Sequence, residues 1–305
     1  MKYKISLMLA KYLEFRGKTE ERKRYTIKNP WVILKRKGMI KLTNGAEFNF
    51  NKDNKKYVLH VIYFALNEGI ELGNGNYRWK FDPKNGIIET HQGIRFKMAN
   101  MFVLIETFLY QIHFSGLDLK GKTVITAGAY IGDTPLFYSY YGAKVYAFEP
   151  NPNSFRKAEE NILLNPVLKD NIILRNYAIG IDGEVDFPFE EDSGGSSIYS
   201  TNGKNKIKVK SVSIKTILNE FNISDPYLLD LDIKGAEFTV IDDASISNFK
   251  KIRIEYSAHL LNRSDKSLES LVAKLKNYGF IKFRVFKHNN SRFDLTYHGT
   301  LEAEK

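Results

Sequence analysis

Lys122-Thr123-Val124-Ile125-Thr126-Ala127-Gly128-Ala129-Tyr130-Ile131-Gly132-Asp133-Thr134 is the stretch on which the reading of the fold turns. Its first five residues form a short run of strand type, and residues 134–141 fit a helix. Gly128 and Gly132 fall in the turn between them. Residues without a side chain let the backbone bend sharply and approach a ligand there, at a helix N-terminus that offers unpaired N–H groups. The spacing is G-x-x-x-G and not G-x-G-x-x-G, which favours a nucleoside whose contacts do not centre on a pyrophosphate. The next strand, residues 144–148, closes on Glu149, 21 residues after Gly128. An acidic side chain at that distance can accept hydrogen bonds from both hydroxyls of a ribose. Glu149-Pro150-Asn151 at the C-terminal end of a strand also puts the carboxylate in the crevice where open α/β sheets bind ligands.

Downstream, short apolar runs keep alternating with helical patterns. Helices are predicted over 153–164, 213–221 and 268–278, and strands over 172–175, 227–233 and 251–256. That alternation argues for an α/β domain with a doubly wound, mostly parallel sheet covered on both faces. Two late strands, 281–286 and 292–297, suit an antiparallel edge. A β-rich excursion over 184–189 and 206–212 brackets a Ser-, Gly- and Asn-rich loop at 192–205. Upstream, residues 31–50 alternate around Asn44-Gly45, a strong short hairpin signal, and a second hairpin surrounds Asp82-Pro83-Lys84-Asn85-Gly86. Residues 55–67 are compatible with a helix, and 99–114 read as a buried one that stops near Ser115-Gly116. The expected division is a small α+β region with hairpins over 1–98 and the α/β domain over 99–300.

The 305 residues contain no cysteine, which excludes disulfides, thiolate-zinc sites and a cysteine nucleophile together. The apolar stretch at residues 5–10 is closed by Lys11 and is too short for a secretory core or a membrane span, so neither export nor insertion is expected, and the cytoplasm is the expected compartment. The formal net charge is +11, and its placement matters: residues 1–60 hold 16 Lys and Arg against 5 Asp and Glu, whereas the rest of the chain balances. Arg22, Lys23 and Arg24 and the run Lys35, Arg36, Lys37 belong to this excess. It reads either as a footprint for an anionic partner, RNA or a membrane surface, or as a solvated lysine-rich face.

Six ordered blocks resemble the FkbM-type S-adenosylmethionine-dependent methyltransferases. They are GAYIGDT (128–134), VYAFEPNP (145–152), NILLN (161–165), NYAIG (176–180), LDIKGAE (231–237) and IEYSAH (254–259), and their order and spacing match over about residues 90 to 286. ETFLY (106–110) is similar to the segment that precedes the catalytic domain in archaeal-type members. The resemblance implies a Rossmann-like class I methyltransferase domain with S-adenosyl-L-methionine as cofactor. It further implies that Gly128, Ala129 and Gly132 cradle the methionine part, that Glu149 binds the ribose with Asn151 beside it, and that Asn176, Tyr177 and Ala178 lie near the adenine. Asp232 would face the transferable methyl and the substrate, and Glu237 belongs to the same block. The chain departs from the family pattern at Thr126, where an acidic residue is usual, at Tyr130, where Asn is usual, and at Lys234, where Glu is common. A lysine at 234 either recognises an anionic substrate or pairs with Asp230 or Asp232.

Methyl transfer from a sulfonium is an in-line displacement in which the cofactor brings the reactive group, so the protein supplies alignment and, for a hydroxyl acceptor, a base. Asp232, Glu237, Glu255 and His259 are the candidate bases, each at a strand end or in the loop just after it, with Asp232 first. The histidines show no ligand spacing and no protein-bound metal is expected, an Asp232–Glu237 cation site being the alternative. The leading expectation is O-methylation of a small-molecule or glycan hydroxyl, with residues 193–200 as a substrate-facing lid. Two alternatives stand beside it: an RNA methyltransferase gripping phosphates with the basic N-terminal region, and a non-catalytic binding module suggested by Thr126. A nicotinamide oxidoreductase is disfavoured by the glycine spacing.

Overall fold

The computed structural model describes residues 27–43, 45, 47–59, 62, 79–82, 84–97, 101–110, 118–188, 206–261, 265–286 and 294–305. The chain divides into two units, Met1–Ile112 and His113–Lys305. Arg22, Lys23 and Arg24, the Ser115-Gly116 helix stop and the 192–205 loop lie outside the described residues.

In the first unit the alternation around Asn44-Gly45 does form a hairpin. β1 (Gly38–Lys41) pairs antiparallel with β2 (Glu47–Phe50), Gly38 opposite Phe50 and Lys41 opposite Glu47, and Ile40, Phe48 and Phe50 are buried. The pattern begins later than expected because Pro30, at a helix start, sets a 3-10 turn over Pro30–Leu34 that leaves Trp31 and Leu34 exposed. The second hairpin joins β3 (Lys80–Asp82) to β4 (Ile87–Glu89), and β5 (Arg95–Lys97) completes a three-stranded antiparallel sheet. Asp82 Oδ1 accepts from the amides of Lys84 and Asn85 at 3.0 and 3.2 Å, the side-chain chemistry that makes Asp a turn residue. Residues 55–59 are helical, while most of 60–67 lies outside the described residues. Within the predicted 99–114 helix, Met101–Ile105 is α-helical and Glu106–Tyr110 continues as a π-helix.

The second unit holds a seven-stranded sheet. β6 (Thr123–Ala127), β7 (Lys144–Phe148) and β8 (Ile172–Arg175) pair in parallel, as do β6 with β12 (Leu228–Leu231) and β12 with β13 (Lys251–Ser257). The near-continuous burial of β6, β7, β12 and β13 is what a central strand covered on both faces requires. Three shorter strands, β9 (Ala178–Ile179), β10 (Gly183–Pro188) and β11 (Lys206–Val212), form a separate sheet, which is the β-rich excursion. At the far side β14 (Lys282–Phe286) is the edge strand and β15 (His298–Glu304) inserts antiparallel between it and β13.

Of the strand expected over 292–297, the described residues 294–297 form no strand, and 292 and 293 lie outside the described residues. The carbonyl of Asp294 accepts from the amides of Tyr297 and His298 at 3.0 and 3.1 Å, and its Oδ1 from Thr296 at 2.8 Å, so this segment is a turn. The strand follows, with Leu301 and Ala303 directed into the core.

The sheet order, β14-β15-β13-β12-β6-β7-β8, places the topological switch between β6 and β12. The chain winds outward from β6 to β8 and then returns to the other side of β6, opening a crevice at the carboxyl ends of β6 and β12, where such sheets bind ligands. Gly128 and Asp232 stand at those two ends. Among the described residues no helix is long and apolar enough to cross a membrane.

Candidate active site

The glycine loop is fastened to β7 through its own amides. The N–H groups of Gly128 and Ala129 both donate to the Phe148 carbonyl, at 2.9 and 3.1 Å, and that of Tyr130 donates to Glu149 Oε2 at 2.8 Å. Gly128, with φ +88°, approaches the neighbouring strand end so closely that a Cβ there would lie 2.2 Å from the carbonyl oxygen of Asp232. Gly132, with φ +85°, faces the helix Pro152–Leu163, where a Cβ would meet Ala158 Cα and O at 3.2 Å. Asn161 Nδ2 secures the same contact by donating to the Ile131 carbonyl at 2.8 Å within the buried interior. The glycines thus supply closeness, at φ values that L side chains rarely adopt.

Glu149 is almost fully buried. Its second oxygen, Oε1, accepts from the Asn151 amide at 2.9 Å, so one carboxylate clamps the glycine loop to the end of β7. Burial pushes its carboxyl up to about 7, against the lowering effect of the two amides. Asn151 in turn caps the helix Pro152–Leu163, its Oδ1 accepting from Asn153 at 2.9 Å. Asn176 braces the turn after β7, donating to the carbonyls of Glu149 and Pro150 at 2.7 and 3.0 Å. Tyr177 is half-buried beside Phe148 with the Lys210 ammonium 4.2 Å from its ring centroid, and Ala178 is buried in β9.

A second clamp repeats the first on the other side of the switch. Glu237 is fully buried, its Oε2 accepting from Gly235 and its Oε1 from Ser257, each at 2.6 Å. It ties the loop after β12 to the end of β13. Burial pushes this carboxyl, too, up to about 7. Glu237 therefore spends both oxygens on backbone amides, whereas Asp232 and Glu255 converge on one cation: Lys234 Nζ lies 2.6 Å from Asp232 Oδ1 and 2.5 Å from Glu255 Oε1. The Asp232 side chain is 38% exposed and that of Glu255 11%. Of the two pairings that the sequence offers for Lys234, Asp232 is the one formed; Glu255 joins it, and nothing in a single sequence marks that third member.

Below the site, Asp230 carries the charge that Thr126 lacks. Thr126, Asp230 and Arg253 are register partners on β6, β12 and β13; Asp230 pairs with Arg253, and accepts from Thr126 Oγ1 at 3.3 Å and from the Tyr138 hydroxyl at 2.8 Å. All four residues are buried. His259, just past β13, packs edge-on against His298 at 5.0 Å between ring centroids. Burial lowers the pKa of its imidazole and the Lys234 charge lowers it further, which favours the neutral ring.

Residues 127–282 match the methyltransferase FkbM domain, just over half of the chain. Among solved structures, the chain is similar to a precorrin-6y methyltransferase from Geobacter metallireducens (14% identity, 61% of this chain and 81% of that one, TM-score 0.33). It is also similar to M. capricolum TrmK bound to S-adenosylhomocysteine (12%, 65% and 67%, 0.40) and to M. jannaschii TYW2 bound to S-adenosylmethionine (15%, 77% and 88%, 0.40). No curated protein matches the chain. The glycine loop with its close approach at the switch point and the match over 127–282 lead to one conclusion: the chain belongs to the FkbM methyltransferase family, enzymes that transfer a methyl group from S-adenosylmethionine.

Proposed function

We propose that this methyltransferase acts on a hydroxyl of a small molecule or glycan and that Asp232 takes the hydroxyl proton. One observation carries the assignment of the base. Of the three carboxylates considered, Glu237 has both oxygens on amides and Glu255 is buried behind Lys234, whereas Asp232 is partly exposed and its Oδ2 makes no hydrogen bond among the described residues. A carboxylate oxygen that is accessible and unengaged is what proton abstraction needs.

The residues present fit the cofactor. Gly128 and Gly132 let the loop pack directly against the Asp232 carbonyl and Ala158, so that it lies at the crevice without an intervening side chain, and the partly exposed Asp232 carboxylate offers negative potential to a cationic sulfonium. When bound, the cofactor supplies an electrophilic methyl group that departs from sulfur as the acceptor oxygen bonds to it. Gly128, Ala129 and Gly132 would hold its methionine part, Glu149 its ribose with Asn151 alongside, and Asn176, Tyr177 and Ala178 would border the adenine. Asp232 accepts the proton of the acceptor as the oxygen–carbon bond forms, since a protonated alcohol is a poor nucleophile, and Glu237 holds the loop that carries it. The α/β domain of this assignment begins near residue 99, and the lack of cysteine suits work in the reducing cytoplasm.

Replacing Glu149 by Ala is expected to weaken S-adenosylmethionine binding by about 1.5–3 kcal/mol, the scale of hydrogen bonds to a charged group. Titration calorimetry measures it, and unchanged affinity would remove Glu149 from the site. For the acceptor, labelled cofactor is incubated with cell extract split into RNA, glycan, lipid and small-molecule pools. Label in the glycan or small-molecule pool supports the reading; label confined to RNA overturns it.

A second reading concerns the basic N-terminal region, where Lys35, Arg36 and Lys37 are all exposed. If this region grips an anionic surface, neutralising these three with Arg22, Lys23 and Arg24 weakens retention on RNA or anionic vesicles at low salt and little at high salt. The Debye length falls from about 30 Å at 0.01 M to about 3 Å at 1 M. Identical, salt-independent retention of both proteins leaves a solvated surface.

A further inference from the structure

We propose that Lys234 is a positioning residue for methyl transfer: its ammonium, held between Asp232 and Glu255, fixes Asp232 by Oδ1 alone and thereby presents Oδ2, ionised, to the acceptor. The inference rests on the reading of Asp232 as the base and adds to it the device that sets its geometry and charge.

Three observations converge. Lys234 has φ +48°, a left-handed conformation that is uncommon and strained for a residue with a side chain. A glycine follows at once, yet position 234 itself is not one, so the fold keeps a lysine where the backbone favours its absence. The conformation serves the side chain. From the turn between β12 and the helix Glu237–Val240, the ammonium reaches carboxylates on two neighbouring strand ends, at 2.6 and 2.5 Å. Both contacts use one carboxylate oxygen each, Asp232 Oδ1 and Glu255 Oε1, so the ion pair is monodentate at Asp232 and leaves its outer oxygen unspent.

The charges around Asp232 make this cation decisive. Glu255 from β13 and Glu149 at the end of β7 are like charges; Arg253 from β13 is a favourable one, although it is ion-paired with Asp230, and burial shifts His259 beyond β13 toward its neutral form. Burial and the Glu255 charge raise the Asp232 carboxyl, whereas Lys234 lowers it by charge and by hydrogen bond. For Lys234 itself burial works against the charge, yet the two carboxylates outweigh it and hold the ammonium protonated. Without this cation, the Asp232 and Glu255 carboxylates would repel each other unscreened, and one of them would hold its proton to higher pH, as paired carboxyls do.

The test needs no acceptor. In full-length protein labelled with 13C-aspartate, the Asp232 carboxyl signal, assigned by its loss in Asp232→Asn, is titrated with pH in the wild type, Lys234→Met and Lys234→Arg. Removing the cation is expected to raise the Asp232 midpoint by one pH unit or more, and arginine is expected to restore at least half of the shift. Should the methionine variant not fold, Lys234→Gly, which suits the +48° backbone, is titrated in its place. An Asp232 midpoint in the folded neutral variant within about 0.3 of the wild type (about 0.4 kcal/mol), or no recovery with arginine, overturns the proposal. Because the readout is the Asp232 titration and not turnover, it can succeed or fail independently of whether Asp232 is the base.

Discussion

Asp232→Asn is expected to bind S-adenosylmethionine within about tenfold of the wild type and to transfer methyl groups at least about a hundredfold more slowly, the usual scale for removing a general base. The exchange is isosteric, and Lys234 decides how the new amide is turned. Its ammonium, 2.6 Å from Oδ1 in the wild type, can face only the amide oxygen. The NH2 group is therefore forced outward, into the place of the unengaged Oδ2, where it donates to the acceptor oxygen and cannot take its proton. The backbone amide of Asp232, which donates to Ala127 at 3.1 Å, is untouched, so the crevice wall persists. Single-turnover transfer into whichever extract pool is labelled measures the effect, and calorimetry checks the cofactor. Wild-type turnover would move the role to another group, and His259, whose imidazole burial shifts toward the neutral form, is the next to test.

Much of the fold was legible because the sheet is parallel and buried. The apolar runs at 122–126 and 144–148 fall on β6 and β7, since a strand covered on both faces needs an unbroken run and its neighbours supply the turns, whereas 206–212, in the small separate sheet, is marked by its alternation instead. The last strand was misplaced because Arg292 to Tyr297 and His298 to Glu304 both alternate. What separates them is the Asp294 turn and the burial of Leu301 and Ala303 against β13, which is tertiary. The site was legible in outline for a related reason. Glycines, a strand-end glutamate and an Asp after β12 mark the crevice in one dimension. What those groups do there is set by partners far away in sequence. Glu237 reads as a candidate base until Ser257, 20 residues on, is seen to occupy its Oε1. The amides of Gly128, Ala129 and Tyr130 are taken up by Phe148 and Glu149 at the end of the neighbouring strand, which the sequence does not reveal. Thr126 reads as a missing acid until Asp230, its neighbour across the sheet, supplies the charge.

Gly128→Ala is expected to be among the most damaging single-methyl changes in the second unit. The added Cβ would lie 2.2 Å from the Asp232 carbonyl oxygen and 3.1 Å from its carbon, both backbone atoms, so no side-chain rotation can relieve the contact. The carboxyl ends of β6 and β12 have to part, which stretches the Asp232 to Ala127 hydrogen bond and displaces Asp232, the proposed base. To this is added the left-handed backbone, φ +88°, which costs an alanine about 1–2 kcal/mol. The two contributions can be separated within the same unit. Gly121 has φ +69° and nothing within 4 Å of the point a Cβ would occupy, so Gly121→Ala reports the backbone cost alone, about 1–2 kcal/mol. Gly128→Ala should lose at least about 3 kcal/mol, a fall in Tm of roughly 6–12 °C for a unit of this size, against about half that or less for the control. Its S-adenosylmethionine affinity should fall by about a hundredfold or more, since the displaced loop includes every residue assigned to the methionine part, while Gly121→Ala should bind as the wild type does. Thermal melts and calorimetry on the two variants make the comparison, and equal Tm values with equal affinities would show that the close approach at the switch point does not constrain the site.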